Sequence, residues 1–311
     1  DFSEKYPGIK FYNRKKMNRA QLLRLVEDID PQLIYCSGWI DKDYIEVCKR
    51  YKGKIPVVGG IDTAWSGSIK QRVHVAMSAF TTRKYYTHVW IAGEAQYRYA
   101  KKLGFNDQHI LHGVYSADTS YFLPFYEKLK NGRAVSFPKK FIYVGRYLPF
   151  KGVVEMWEAF AELADAENSD WELWCLGTGD LWEKRMEHPT IKHFGFVQPS
   201  EMEKFLSETG VFILPSQFEP WAVVVHEFCA AGFPLICSNK VGAATLFLEE
   251  GSNGYTFEAG NKAALKNVMK KMMNLSQQEL MEMSCKSHEM AKKHSPEKWA
   301  AALMNVLNHK N

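Results

Sequence analysis

Four charged side chains stand where a diphosphate-bearing ligand could use them. Arg146 follows the apolar run Phe141-Ile-Tyr-Val-Gly145, and Lys151 comes five residues later, just before a helical stretch over residues 153–164. A cation at a helix start opposes the macrodipole and costs about 0.3–1 kcal/mol, so a Lys where Asp or Ser would stabilise points to an anionic ligand. Arg offers a planar fork to phosphate oxygens and Lys a mobile point charge, a combination suited to a diphosphate. The loop is not of the Walker type, because the Gly-Lys-Ser/Thr ending is absent.

The two carboxylates lie in Leu214-Pro-Ser-Gln-Phe-Glu-Pro-Trp-Ala-Val-Val-Val-His-Glu227. Residues 211–214 read as a buried strand and residues 223–231 as a helix, with Pro220 marking the boundary. If Pro220 takes the first helical position, Glu219 falls at or beside the cap. The amides of Trp221, Ala222 and Val223 then point out of a helix start carrying partial positive charge, a socket for an anion. Glu227 lies roughly 7.5 Å further along the axis, so both acids can line one pocket. A capping Glu and a surface Glu is the competing reading of the same stretch.

Other groups carry less. Asp41-Lys42-Asp43 is an Asp-x-Asp of the kind that holds a divalent metal, but it precedes an evident helix from Tyr44, where acids complement the dipole. Asp62, just past Gly59-Gly60, is better placed to face a cleft. Leu176-Gly-Thr-Gly179 reads as a tight turn after a strand, and His226, about 100° around the helix from Glu227, faces elsewhere. The six cysteines show no metal-type pairing and read as reduced core thiols. No metal site is expected.

These residues need a scaffold, and the apolar pattern supplies one. Runs at 33–36, 55–60, 89–93 and 110–114 alternate with helical stretches, and a second series lies at 141–145, 172–177, 191–196, 211–214, 234–237 and 254–257. Strands alternating with helices predict parallel sheets covered on both faces, with ligands beyond the carboxyl ends of the strands. Residues 9–12 read as a further strand, Asn18 as the cap of a helix through Glu27, and residues 119–138, with Pro124, Asn131-Gly132 and Pro138, as an interdomain connection. The expected division is a first domain over 1–125, a second over 138–295, and a helix over 296–311 free to cross back to the first.

A chain of 311 residues with 46% hydrophobic and 24% charged residues is an ordinary globular composition. No run approaches the ~18 apolar residues of a membrane span, and no signal peptide opens the chain. Residues 1–125 hold 19 Lys and Arg against 12 Asp and Glu, net +7, whereas the remainder nets −2. A basic front half suggests an anionic acceptor or membrane surface. Nucleic acid is not expected, since the cations are spread out and no helix-turn-helix, zinc-finger or RNP pattern occurs.

Gly145-Arg146 with Lys151-Gly152, Leu176-Gly-Thr-Gly179, Phe194-Gly-Phe-Val197, Leu214-Pro-Ser216, Glu219 with Glu227, and Gly251-Ser-Asn-Gly254 occur in the order seen in family 4 glycosyltransferases of the GT-B fold. Over residues 138–275 the chain resembles a bacterial member; before that only the strand order and His112-Gly-Val114 near Asp118 are similar. The resemblance implies an α/β fold of two Rossmann-like domains facing a cleft. It implies that Arg146 and Lys151 hold the donor diphosphate beside Gly145, that Glu219 lies by the donor sugar, and that Glu227 holds the ribose. The backbone of Phe196 and Val197 would meet the base, the amides of Ala222 and Val223 the phosphate, and Asp62 would stand on the acceptor side. The implied activity is retaining hexosyl transfer from a UDP- or GDP-type sugar to a glycan or lipid-linked acceptor in cell-surface polysaccharide biosynthesis. It needs no cofactor beyond the nucleotide sugar as co-substrate and no metal. It would take place in the cytoplasm, at the inner face of the membrane. The alternatives are a non-catalytic nucleotide-sugar-binding or membrane-docking module and a nucleotide-sugar epimerase. Ala222 stands where the family often has Gly, and Gly242-Ala-Ala-Thr245 where it has a Gly-Gly-x-x-Glu stretch. The first strand–helix–strand with its glycine-rich loop is expected to be missing.

Overall fold

Each strand is a run of three to five mostly apolar residues, and the strands form two sheets in which every pair is parallel. The computed structural model describes residues 6–167 and 169–308. The first sheet runs β1 (Ile34–Cys36), β2 (Val57–Ile61), β3 (His88–Ile91) and β4 (Ile110–His112), in that spatial order. The second contains β5 (Lys140–Val144), β6 (Glu172–Leu176), β7 (Ile191–Gly195), β8 (Val211–Leu214), β9 (Leu235–Ser238) and β10 (Gly254–Phe257), in the order β10-β9-β8-β5-β6-β7. Residues 141–143 and 211–214 are almost fully buried, as central strands covered on both faces must be. The chain leaves β5 in one direction and returns at β8 to build the other, so the switch point lies between β5 and β8. The crevice beyond their carboxyl ends is where such a sheet receives a ligand. Arg146 follows β5 and Glu219 follows β8.

Two expectations are corrected. Residues 9–12 form no strand and lead into a short turn, Arg14–Lys16. Residues 119–138 are not a loose connection: Thr119–Val135 is a helix, capped by Asp118 accepting from the Tyr121 amide at 3.2 Å. Pro124 and Gly132 inside it disfavour a helix by roughly 3 and 1 kcal/mol. Burial of Phe122, Phe125 and Tyr126 offsets that cost, and Arg133 anchors the helix to its neighbours. Its buried guanidinium donates to the carbonyls of Gly232 (2.9 Å), Leu206 (3.1 Å) and Thr209 (3.1 Å), groups that two other helices leave unpaired at their ends.

Asn18 caps the Arg19–Ile29 helix through a capping box with Gln21, and the helix continues two residues past Glu27. The last helix, Pro296–Asn308, lies against the first sheet. Trp299 donates its indole N–H to the Val114 carbonyl at 2.9 Å, and its ring centre lies 4.7 Å from that of Trp90 in β3. No described helix is long and apolar enough to cross a membrane.

Candidate functional site

Gly152 brings the two domain-two signals together. It adopts φ +66°, and a Cβ there would stand 2.3 Å from the Pro215 carbonyl, so only glycine lets the turn Pro149–Lys151 lie against the end of β8. Lys151 Nζ then forms an ion pair with Glu219, both side chains being largely buried at 14% and 13% exposure. Ser216 Oγ donates to the same carboxylate oxygen at 3.4 Å. This changes the reason for a lysine here: it sits in the turn before the Val153–Glu167 helix, and its charge faces a carboxylate of its own protein.

Arg146 is exposed and its guanidinium has no partner among the described residues. The turn that presents it is tight. Gly145 donates its N–H to the Leu176 carbonyl at 3.0 Å, and a Cβ on Gly177, at φ +137°, would lie 1.9 Å from the Gly145 carbonyl. Tyr143, whose hydroxyl donates to the Arg146 carbonyl at 2.9 Å, feels the charges of both Arg146 and Glu219. Burial pushes its phenol well above the usual range and keeps it a neutral donor.

The helix after β8 starts three residues later than Pro220 at its first position predicts. Residues 219–221 are held instead as an extended segment, with Gly242 N–H donating to the Glu219 carbonyl (3.0 Å) and Ala243 N–H to that of Trp221 (2.8 Å). Gly242 allows this approach, because a Cβ there would stand 2.1 Å from the Pro220 carbonyl. Ala222, at φ +81° and ψ +85°, turns the chain into the helix Val223–Ala230. The amides of Ala222 and Val223 have no acceptor among the described residues. Glu227, further along the same helix, has no hydrogen-bond or ion-pair partner among the described residues, and burial pushes its carboxyl up to about 7. His226 points elsewhere: it is stacked on Phe247 at 4.3 Å, accepts from the Ala117 amide at 3.0 Å and donates to the Ala291 carbonyl at 3.3 Å. That bonding requires neutral imidazole, and burial lowers its pKa to about 4.

The first domain closes over this helix start through a residue that sequence did not single out. Gln96, 1% exposed, donates its side-chain amide to the carbonyls of Asp62 (2.8 Å) and Pro220 (3.0 Å). A Cβ on Gly93 would meet the Trp221 ring at 2.8 Å, so this glycine lets the two domains touch. Asp62 itself is exposed and accepts from the Tyr115 hydroxyl at 3.4 Å. No local signal marks Gln96, which is one polar residue among several on the Glu94–Lys102 helix. Phe196 and Val197 follow β7 at the sheet edge, Phe196 exposed and Val197 half-buried, with no hydrogen bond to the Arg146–Glu219 group. Asp41 and Asp43 lie outside it. Asp41 caps the Lys42–Tyr51 helix and pairs with Arg14 (3.2 Å), and Asp43 pairs with Arg14 (2.6 Å) and Arg19 (2.7 Å). No group of three or more potential metal ligands occurs among the described residues.

Residues 127–307 match the family model described as glycosyl transferases group 1. Spore coat protein SA of Bacillus subtilis is 29% identical over 145 residues, 42% of this chain and 37% of its own. The putative teichuronic acid biosynthesis glycosyltransferase TuaC of the same organism is 30% identical over 106 residues, 34% of this chain and 26% of its own. The chain thus spans less than half the length of either relative. Among solved structures, Anabaena Alr3699/HepE in complex with UDP superposes with a TM-score of 0.72 and 15% identity over 93% of this chain and 81% of its own. The fold is GT-B.

Proposed function

The chain belongs to the group 1 glycosyl transferases, and from that membership we propose that it is a family 4 enzyme. It moves a hexosyl group, with retention, from a nucleotide-diphosphate sugar to a glycan or lipid-linked acceptor. The observation that carries this reading is the grouping at the switch point. Arg146 follows β5, the Lys151–Glu219 pair links the loops after β5 and β8, and the amides of Ala222 and Val223 open the next helix, which also carries Glu227; among the described residues the amides and Glu227 have no partner. The diphosphate takes the two cations and the amides, which stabilise the charge that develops on it as the glycosidic bond breaks. Glu219 faces the donor sugar. Glu227, ionised, accepts from the ribose hydroxyls, and the backbone at Phe196 and Val197 meets the base.

UDP is the preferred nucleotide, a reading supported by the UDP held in Alr3699/HepE. Cell-surface polysaccharide is the preferred product, supported by the name of TuaC. Transfer is independent of divalent metal, a reading supported by the exposed cation of Arg146, the helix-start amides of Ala222 and Val223, and the Asp-x-Asp acids being held by two arginines. Work at the inner face of the membrane fits the basic first domain, whose sequence nets +7 over residues 1–125.

The test is calorimetric titration with UDP, GDP and ADP, followed by donor-sugar hydrolysis with and without chelator. Binding of UDP ahead of the others, with chelator-resistant hydrolysis, is expected. Binding of no nucleotide diphosphate overturns the reading. Turnover abolished by chelator and restored by magnesium overturns its metal-independent form.

A further inference from the structure

The helix Ile69–Ala76 shows its apolar side to solvent. At about 100° per residue, Ile69, Val73 and Met77 fall within roughly 80° of arc. Phe80 follows in a turn whose amides bond back to the Met77 carbonyl at 3.0 and 3.1 Å. These four side chains are between 47% and 82% exposed. A surface helix ordinarily buries such a stripe, and a contiguous exposed one marks an interaction surface.

The charge around the stripe identifies the partner. Between Asp62 and Glu94 the sequence contains Lys70, Arg72, Arg83 and Lys84 and no acid. Lys70 and Arg72 flank the stripe at about 100° and −60°, and both are exposed. Lys70 and Lys84 have no ion-pair partner among the described residues. An apolar stripe between cations is the pattern of a helix lying in the interface of an anionic bilayer.

The other face of the helix is fixed: Val75 packs on the core of the first domain, and Gln71 donates to the Ala64 carbonyl at 2.8 Å. His74 is hydrogen-bonded to Tyr99 Oη (2.7 Å) and Thr82 Oγ1 (2.8 Å), and its ring lies 4.9 Å from that of Trp39. Behind it opens a cavity of about 560 Å³, lined by Trp39, Thr63, Lys70, Gln71, His74 and Tyr99 among others. Thr63 adjoins Asp62, so this cavity begins beside the part of the first domain that meets Pro220.

We infer that residues 69–80 dock onto an anionic lipid bilayer, with the stripe inserted and the flanking cations on the headgroups, so that a membrane-borne acceptor reaches the cavity behind the helix. The docking stands on the stripe and its charges; only the identity of the cavity's occupant as an acceptor rests on the glycosyltransferase reading.

The experiment is co-sedimentation of the 311-residue chain with phosphatidylcholine vesicles, with and without phosphatidylglycerol and without nucleotide. Binding to the anionic vesicles is expected, and it should weaken with salt. Val73→Asp with Phe80→Asp should reduce it at least tenfold, and Lys70→Gln with Lys84→Gln by roughly fivefold per cation removed. The side chains are exposed, so unchanged thermal melting will show that the variants fold. Anionic binding insensitive to both pairs overturns the proposal, as does equal binding to neutral vesicles. Self-association abolished by the aspartates, with no vesicle binding, assigns the stripe to a second copy of the chain and also overturns it. Calorimetry with UDP, done without vesicles, reads the donor site separately, so either reading can fail while the other stands.

Discussion

Gln96 and Pro220 lie in different domains and share a hydrogen bond. The Gln96 side-chain amide donates to the Pro220 carbonyl at 3.0 Å and to the Asp62 carbonyl at 2.8 Å, so one buried side chain ties the end of β2 in the first domain to the residue next to Glu219. Gln96→Ala removes the donor shared by two carbonyls, of which the half-buried Pro220 is the costlier to leave unpaired, at up to about 1–3 kcal/mol. Turnover should fall at least tenfold while UDP affinity, which depends on the second domain, stays within about threefold, as kcat/KM and calorimetry will show. Turnover within twofold of the parent would mean that the bridge does not position the cleft.

The Lys151–Glu219 pair separates binding from chemistry. Glu219→Gln keeps the shape and removes the charge that the proposed reading sets beside the donor sugar, so turnover should drop by orders of magnitude with little change in nucleotide affinity. Lys151→Ala leaves Glu219 as an uncompensated, largely buried charge and removes the proposed diphosphate contact, so both affinity and turnover should fall. Parallel losses in the two variants would place both residues in ground-state binding.

Ala222 holds φ +81°, a left-handed conformation that costs a residue with a Cβ about 1–2 kcal/mol. Glycine removes that cost and gives back about 0.5–1 kcal/mol in unfolded-state entropy. Ala222→Gly should therefore raise stability by up to about 1 kcal/mol, read as a rise in Tm of roughly 2 °C. A lower Tm for the glycine variant would show that the alanine methyl makes packing contacts worth more than the strain.

Glu227 should make the protein's stability depend on pH. Its carboxyl titrates at about 7 in the fold against a usual 4.5, so between those values the folded state holds the extra proton. The resulting stabilisation is complete below 4.5 and is lost as pH rises through 7, a change of roughly 3 kcal/mol. Glu227→Gln should flatten this profile and melt higher than the parent above pH 7. If, as proposed, the ionised form accepts from ribose, UDP affinity in the parent should weaken as pH falls through 7 and should not in the variant. Glu227→Ala should weaken UDP by roughly ten- to a hundredfold. Glu250, whose carboxylate is occupied by the Thr256 amide and hydroxyl at 2.8 Å each, serves as the control, and Glu250→Gln should change neither. A Glu227→Ala protein that binds UDP like the parent would sink the ribose assignment.

Features set by near neighbours along the chain were legible in the residues alone. Apolar runs between helical stretches dictate the parallel sheets, and strand ends by themselves put Arg146 after β5 and Glu219 after β8. The glycines at 152 and 177 mark turns where a Cβ would run into backbone carbonyls. Whatever depends on a residue's distant partners emerged only in the folded chain. Lys151 looks like a misplaced helix-start cation until Glu219, 68 residues on, supplies its counterion. Glu227 looks like a surface acid until the packed helix half-buries it and raises its carboxyl. Thr119–Val135 is helical in spite of Pro124 and Gly132 because its buried face outweighs their local cost. Gln96 carries no local signature, since its two carbonyl partners lie 34 and 124 residues away. Local preferences amount to tenths of a kcal/mol up to about 3 kcal/mol per residue, whereas burial and long-range hydrogen bonds add collectively over a whole face. Where the two disagree in this chain, the long-range contacts prevail.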